Sequence, residues 1–338
     1  MASLSKTSIE GASVRREGLD FFRTVRNKKI LIAGVSGRVG LGLGFYLSRH
    51  GNQVHGLGKF ENAPTRSFLK SLGIVTHVRN LSAPDALERV PEDFDYVFNM
   101  AVYWGHADRV THKMWRTAVQ INARFPSDLV AKYSHVDAVV LGSTGGVYQP
   151  SRSDSDLKVE NRAVPEGGVG NNIYENSKLI MEEMVRWSCE QNDTRGSILR
   201  YFWPDTPYYP RVDMATMPIF SSMDGTPIAP KAGVRHVSYI SELVRWTINA
   251  AGAATCPPRV INCGHPEVVD FARACRMASR VTGKRPNVNR NGYLFSDFRY
   301  LGNFGRQEAL LGAPKLHLTE IYNRLKRGYE ERCRFPEE

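Results

Sequence analysis

The chain has 338 residues, about two domains' worth at roughly 150 residues each, which excludes a small disulfide-stapled scaffold. Apolar residues make up 42% and charged residues 23%, the proportions of a folded globular protein rather than a disordered or fibrous one. Lys and Arg number 45 against 34 Asp and Glu; the surplus of +11 favours an anionic partner, whether nucleic acid, an acidic membrane surface, or a phosphorylated ligand or cofactor.

No stretch approaches the roughly 20 uninterrupted apolar residues of a membrane span. Residues 1–27 read as a polar leader before the first strand: they lack the apolar centre of a secretory signal. Their Arg and Ser content resembles a transit peptide, but Glu10, Glu17 and Asp20 oppose that reading. Cys189, Cys256, Cys263, Cys275 and Cys333 are odd in number and form no CxxC pair, as expected of reduced thiols in a cytoplasmic protein. The histidines show no HExxH-type spacing, so no metal is expected.

In chain order, KILIAGV (29–35) predicts a short buried strand. Glycines follow, and then a helix on which Leu41, Leu43, Phe45, Tyr46 and Leu47 face a sheet. Further strands are predicted at 53–58, 73–81, 95–102, 137–144 and 196–203, with helices at 112–134 and 174–191. Short apolar strands alternating with helices predict an α/β fold, a doubly wound parallel sheet covered on both faces. From about residue 204 prolines and tyrosines break the alternation, and helical patterns return at 239–251, 266–282 and 318–331. Residues 28–203 are therefore expected to form the parallel-sheet domain, with 236–262 returning to it, and 204–338 mainly a smaller, more irregular domain that completes a pocket.

Gly34-Val-Ser36-Gly37-Arg38-Val39-Gly40 lies between a predicted strand and a predicted helix, the context of a dinucleotide fingerprint. Glycines permit a tight turn and close backbone approach, and a helix N-terminus offers free N–H groups to a pyrophosphate. An Asp or Glu that would accept from a ribose 2′-hydroxyl is missing at the end of the second strand, which reads Gly56-Leu57-Gly58-Lys59. Lys59, Arg66 and Arg38 suit a 2′-phosphate, so NADP is expected, with NAD as the alternative. Asn80 and Leu81, ending the third strand, and Ala101, ending the fourth, complete the expected cofactor contacts.

Tyr174-Glu-Asn-Ser-Lys178 places a phenol and an ammonium on one face of a helix. An adjacent cation favours the phenolate and suits the phenol to proton transfer. Tyr322-Asn-Arg-Leu-Lys326 has the same spacing but no hydroxyl-bearing strand end before it, and reads as a helix-surface coincidence. The first pair does have such a strand end in Gly142-Ser143-Thr144-Gly145-Gly146-Val147-Tyr148, where Thr144 can hydrogen-bond a substrate oxygen.

GVSGRVG, NMAV, the helix holding Asn122, GSTGGVY, YENSK followed by LIMEE, LRYFWP and VRHVSYISELV stand in the order seen in extended short-chain dehydrogenases/reductases. The chain resembles this family from about Lys29 to LGAPKLHLTEIYNRL, nearly its whole length. The resemblance implies a Rossmann-type domain with a small C-terminal substrate-binding domain, and a homodimer packed through the helices holding Asn122 and Tyr174. It also implies catalytic Thr144, Tyr174 and Lys178. Lys178 would in addition hold the nicotinamide ribose, and Asn122 would support Lys178 through water.

Departures from the family patterns narrow the chemistry. Where sugar-nucleotide 4,6-dehydratases carry an Asp-Glu pair after the catalytic Thr, this chain has Gly145 and Gly146, which disfavours dehydration. The Cys that reductive epimerases of GDP-sugars use in that loop is missing. Trp203 replaces the Asn of the RYFN pattern that touches a nucleotide-sugar diphosphate, whereas Arg235 resembles the Arg that binds a substrate phosphate in nucleotide-sugar epimerases. Tyr103, Trp104 and His106 follow the fourth strand, and with Gly145, Trp203 and Arg235 they are candidates for substrate contact. Tyr208, Tyr209, Arg211 and Lys231 fall in the proline-rich region, where charge and aromatics suit an anionic or ring-shaped small molecule.

The leading expectation is an NAD(P)-dependent oxidoreductase interconverting a secondary alcohol and a ketone on a polar, sugar-like or phosphorylated substrate. Tyr174 moves the hydroxyl proton and Thr144 orients the oxygen. The alternative is a nucleotide-sugar epimerase that uses the same residues with tightly bound cofactor and no net redox. A non-catalytic dinucleotide-sensing or RNA-binding protein is the alternative of another class; retention of both Tyr174 and Lys178 weighs against it. The basic residues form no block, so neither a nucleic-acid nor a membrane partner is expected.

Overall fold

The computed structural model describes residues 21–105, 110–161, 173–207, 214–230, 233–289 and 299–332. The strands are β1 (Lys29–Ala33), β2 (Gln53–Gly58), β3 (Val75–Val78), β4 (Tyr96–Asn99), β5 (Ala138–Thr144), β6 (Gly196–Tyr201), β7 (Pro204–Asp205), β8 (Val234–His236), β9 (Ser238–Tyr239), β10 (Arg259–Cys263), β11 (Val268–Val269) and β12 (Arg299–Tyr300). The helices are α1 (Arg38–Arg49), α2 (Ala63–Ser71), α3 (His112–Val119), α4 (Phe125–Lys132), α5 (Ile173–Gln191), α6 (Thr216–Asp224), α7 (Ile240–Gly252), α8 (Phe271–Thr282), α9 (Gly305–Leu311) and α10 (Leu318–Arg332).

Seven strands form one sheet in the order β10-β6-β5-β4-β1-β2-β3, parallel at every pairing. Strands buried on both faces explain the unbroken apolar runs seen in the sequence. In β1, Ile30 and Ile32 join a core with Leu43 and Leu47 of α1 and Leu243 and Trp246 of α7. Leu31 and Ala33 join the opposite core with Leu129 of α4 and Met181 and Val185 of α5. The two-residue period of the strand thus fastens helices to both faces, each fully buried Leu or Ile contributing roughly 1.5–3 kcal/mol. Of the residues expected on the sheet-facing side of α1, Leu41, Leu43 and Leu47 are buried, but Phe45 is exposed; it lies beside Phe68 of α2 instead.

The helix expected over 112–134 is broken by a π-turn at Gln120–Arg124. Pro126 sits at the start of α4 and has no N–H to continue the ladder, so the backbone widens just before it. That widening holds Asn122, which is fully buried. The helix expected from 266 begins only at Phe271, because Asp270 caps it by accepting from Arg273 N at 2.5 Å; Val268–Val269 form β11 instead.

β8 is the centre of a second sheet, antiparallel to β11 and parallel to β12. Met214 and Ile219, with Phe271 and Ala274 of α8 and Ile321 and Leu325 of α10, form its separate core. Tyr322 belongs to that core and is fully buried, which corrects its expected surface position: α10 turns its apolar face inward, while Lys326 pairs with Glu330 at 3.7 Å. Bridges from Ser151 to Arg299 and from Lys158 to Gly302 fasten the segment after β5 to this region. Among the described residues Cys189, Cys256, Cys263 and Cys275 are free thiols. No described helix is long and apolar enough to cross a membrane.

Candidate active site

The parallel register brings the ends of β1, β2, β4 and β5 to one edge of the sheet, the edge where open α/β folds bind ligands. At the end of β1, Gly34 has φ +75, and a Cβ there would meet Ala101 N at 2.5 Å. Gly40 likewise packs against the Gly34 backbone with no room for a side chain. The glycines therefore allow the turn to pass against the end of β4 and α1 to start directly behind it. Gly37 caps α1 without any side-chain hydrogen bond, and the first turn holds no acidic residue. A glycine cradle under an uncapped helix N-terminus fits a dinucleotide pyrophosphate.

The other expected cofactor residues are less uniform. Val39 and Leu81 are buried, Ala101 is buried with its N–H on Asn99 Oδ1 at 3.3 Å, and Ser36 is half-buried in the turn. Asn80 is exposed and accepts from Ser82. Lys59 pairs with Glu61 at 3.6 Å, so the edge expected to lack an acid has one two residues further on. Arg66 lies in α2 with its Nε buried and unpartnered. Arg38 reaches the Pro204 carbonyl at 3.5 Å, on the β6 side of the sheet rather than the β2 side.

Thr144, Tyr174 and Lys178 are all buried at the end of β5. The Thr144 hydroxyl accepts from Gly146 N at 3.1 Å and shares a 3.1 Å hydrogen bond with Tyr300 Oη; it also bonds the Tyr174 phenol. Lys178 Nζ donates to the Gly142 carbonyl at 2.6 Å. Burial lowers Lys178 to about 8, with Glu182 acting against that shift. Burial and the Glu175 carboxylate push the Tyr174 phenol well above its ordinary value, and the Thr144 hydrogen bond opposes them. The Lys178 ammonium is thus anchored on β5 through the Gly142 carbonyl.

Asn122 is spent on structure around Tyr103: its Oδ1 accepts from Tyr103 N at 2.7 Å, and its Nδ2 donates to Tyr103 O at 2.8 Å and Ser177 Oγ at 2.9 Å. It contacts the neighbour of Lys178 rather than Lys178 itself. The clamp holds the loop in which Trp104 stacks on Tyr174, ring centroids 4.4 Å apart.

The candidate substrate residues divide. Gly145 offers no open face, since a Cβ there would collide with the Phe202 ring at 2.5 Å. Trp203 adopts a left-handed backbone, φ 48, and its ring lies under the Arg235 guanidinium at 4.1 Å; the two candidates are therefore one cation–π unit. His106, Tyr208, Tyr209, Arg211 and Lys231 lie outside the described residues.

Several residues at the site carry no sequence signal of their own. Tyr300 arrives on a two-residue strand from the second sheet. Glu175 lies against Gly146. Behind them, Glu182 of α5 accepts from Ser143 Oγ at 2.6 Å and from Arg200 of β6 at 2.9 and 2.5 Å. Arg200 donates to Tyr148 Oη at 2.6 Å, and Tyr148 donates to Asn262 of β10 at 2.9 Å. A paired carboxylate and guanidinium on α5 and β6 would reveal themselves only once the helix is known to cross behind both strands.

The family model described as "NAD dependent epimerase/dehydratase family" matches residues 30–222, more than half of the chain. The chain belongs to that family. The match begins in β1 and takes in the glycine cradle and the Thr144, Tyr174 and Lys178 cluster of this epimerase/dehydratase family member. A search of the curated proteins found no match. Solved structures share its fold. The UDP-glucuronic acid 4-epimerase from Bacillus cereus, in complex with UDP-glucuronic acid and NAD, is 19% identical with a TM-score of 0.73, covering 90% of this chain and 99% of its own. The epimerase Mth375 from Methanothermobacter thermautotrophicus is 19% identical with a TM-score of 0.74, covering 94% and 96%. The Helicobacter pylori ADP-L-glycero-D-manno-heptose-6-epimerase is 19% identical with a TM-score of 0.73, covering 92% and 98%.

Proposed function

We propose that this enzyme interconverts a secondary alcohol and a ketone on a polar, sugar-like or phosphorylated small molecule, using Thr144, Tyr174 and Lys178. The observation that carries the reading is the buried hydrogen bond between Thr144 and the Tyr174 phenol at the ligand-binding edge of the sheet. A bound nicotinamide dinucleotide supplies hydride acceptance and return. Gly34, Ser36, Gly37, Arg38, Val39, Gly40 and Ala101 hold its pyrophosphate at the uncapped start of α1. Thr144 orients the reacting oxygen, Tyr174 takes or gives its proton, and Lys178 holds the ribose and supplies positive charge beside the phenol.

The alternative is an epimerase: a tightly held dinucleotide would take hydride and return it to the opposite face of the ketone, with no net redox, while Tyr174 and Thr144 keep the same roles. The relatives named above favour this second reading, since each is called an epimerase. Dehydration is not proposed: Phe202 and Glu175 fill the directions in which side chains at positions 145 and 146 would extend. We propose NADP as the cofactor, supported by Arg66, whose Nε is unpartnered in the helix that follows β2; NAD is the alternative, supported by the NAD-bound relative. A homodimer through α3, α4 and α5 is supported by Ile180 and Trp187, exposed seven residues apart on α5.

The test is to release and weigh whatever dinucleotide co-purifies, then follow UDP-glucose and UDP-glucuronic acid by NMR while recording absorbance at 340 nm. A changed sugar with flat absorbance supports epimerisation, whereas stoichiometric NADPH consumption supports net redox. Full turnover in Tyr174→Phe overturns the enzyme mechanism.

A further inference from the structure

The loop after β4 leaves a large apolar side chain, Trp104, 44% exposed at the ligand-binding edge of the sheet. An indole left in water forgoes the burial that would stabilise the fold, so the contacts that hold it there call for a reason. Its ring stacks on Tyr174, with centroids 4.4 Å apart and planes 25° from parallel. Tyr103, just before it, is fastened to Asn122 through both its N–H and its carbonyl, at 2.7 and 2.8 Å. Gly105, just after it, has φ +60, and a Cβ there would collide with the Ile173 side chain. Asn122 also donates to Ser177 Oγ at 2.9 Å, and Ser177 donates to the Tyr174 carbonyl at 2.8 Å. Clamp, indole and phenol therefore close into one circuit of contacts anchored on α5. The other indole near the site, Trp203, is already stacked under the Arg235 guanidinium.

We propose that Trp104 is a specificity-determining residue whose exposed indole surface receives a ring of the substrate beside the reacting alcohol. The Tyr174 oxygen lies at the end of the ring that Trp104 covers, so an alcohol that exchanges a proton with it brings its own carbon skeleton alongside the indole. A flat apolar surface there favours a ring with an apolar face, whether the C–H face of a pyranose or an aryl group. Because the clamp on Tyr103 and the turn at Gly105 set the indole in place beforehand, stacking orders little of the protein when the ring arrives. This inference rests on Tyr174 being the proton-transfer group of the proposed reaction, but its readout is binding and needs no turnover, so a failure of one can be told from a failure of the other.

The experiment uses the full chain loaded with NAD and follows methyl glucoside, 1-phenylethanol and the ring-free alcohol isopropanol in saturation-transfer NMR titrations. At least one of the two ring compounds should bind more tightly than isopropanol. Trp104→Leu should weaken that binding by about fivefold, the scale of one aromatic contact, and Trp104→Phe should stay within about twofold of wild type. Gly105→Ala keeps the indole but drives a Cβ into Ile173, and should weaken the same compound about as much as Trp104→Leu, with the circular dichroism spectrum unchanged. Binding of the glucoside alone identifies a sugar face and binding of phenylethanol alone an aryl group; either supports the inference. Ring compounds that bind the wild type no more tightly than isopropanol overturn it, as does ring binding that Trp104→Leu leaves unchanged. Binding that depends on Trp104 without turnover of any secondary alcohol supports this inference and counts against the proposed reaction instead.

Discussion

Thr144 and Tyr300 share one hydrogen bond, yet two different kinds of structure bring them there. Thr144 ends a seven-residue strand buried along its whole length in the middle of the parallel sheet. Tyr300 belongs to a two-residue strand at the edge of the small sheet, held by the Phe202 and Phe304 cluster and by bridges to the segment after β5. A long strand ladder fixes the first; a two-residue pairing with β8, isolated bridges and side-chain packing together fix the second. Thr144 accordingly depends on the main sheet, whereas Tyr300 and Arg235 of the second sheet, with the Trp203 ring under Arg235, are placed by contacts that a few substitutions can rearrange.

The largest expected effect is on the main-sheet side. Tyr174→Phe should lower turnover about 100- to 10,000-fold, the range of a lost general acid or base, while dinucleotide binding measured by fluorescence titration stays within a few-fold of wild type. Next comes the support behind it. Glu182→Ala strands the buried Arg200 guanidinium, now held at 2.5 and 2.9 Å, and should cost about 3–5 kcal/mol in urea unfolding. An unchanged midpoint would show that the main sheet does not depend on that pair.

A smaller effect tests the far edge of the same sheet, away from the second sheet. His55 on β2 and His77 on β3 lie 2.9 Å apart. Burial lowers both, His55 to about 4 with the charge of His77 adding to the effect. The folded protein therefore binds fewer protons than the unfolded chain. Its stability is full above about pH 6.5 and is lost as the pH falls towards 4, by roughly 1 kcal/mol at pH 5.5. Thermal melts at pH 7.5 and 5.5 should show this fall, and His55→Gln should flatten it. The smallest effect is on the packed side. Tyr300→Phe removes one partner of Thr144 and should cost about 1 kcal/mol, up to tenfold in turnover, with little change in melting temperature. A loss as large as that of Tyr174→Phe would instead place Tyr300 among the proton-transfer groups and erase the contrast between the two regions.

The readable features are those whose physics is local. β2 spans the stretch predicted from its apolar run, Gln53–Gly58, and α5 starts one residue from its predicted position. The glycine cradle was legible because a tight turn before a helix leaves few residue choices. Lys178 could be named from its spacing, but not its partner: the Gly142 carbonyl comes from β5, and a helical period says nothing about which strand the helix crosses. Asn122 was legible as a residue, yet the π-turn that buries it follows from Pro126 interrupting a ladder. Tyr322 shows the reverse case, since the spacing that marks Tyr174 recurs there in a residue whose surroundings make it core.

By itself the sequence determined the doubly wound parallel sheet, the cradle at its edge and the identity of the Thr144, Tyr174 and Lys178 cluster. These depend on period, turn chemistry and residues close together in the chain. Only the tertiary structure decided that Tyr300 meets Thr144, that Arg235 covers Trp203, and that Glu175 occupies the space beside Gly146. Each of these contacts joins elements far apart in sequence or depends on how one helix face packs, and shape complementarity between packed surfaces is not written in any one segment.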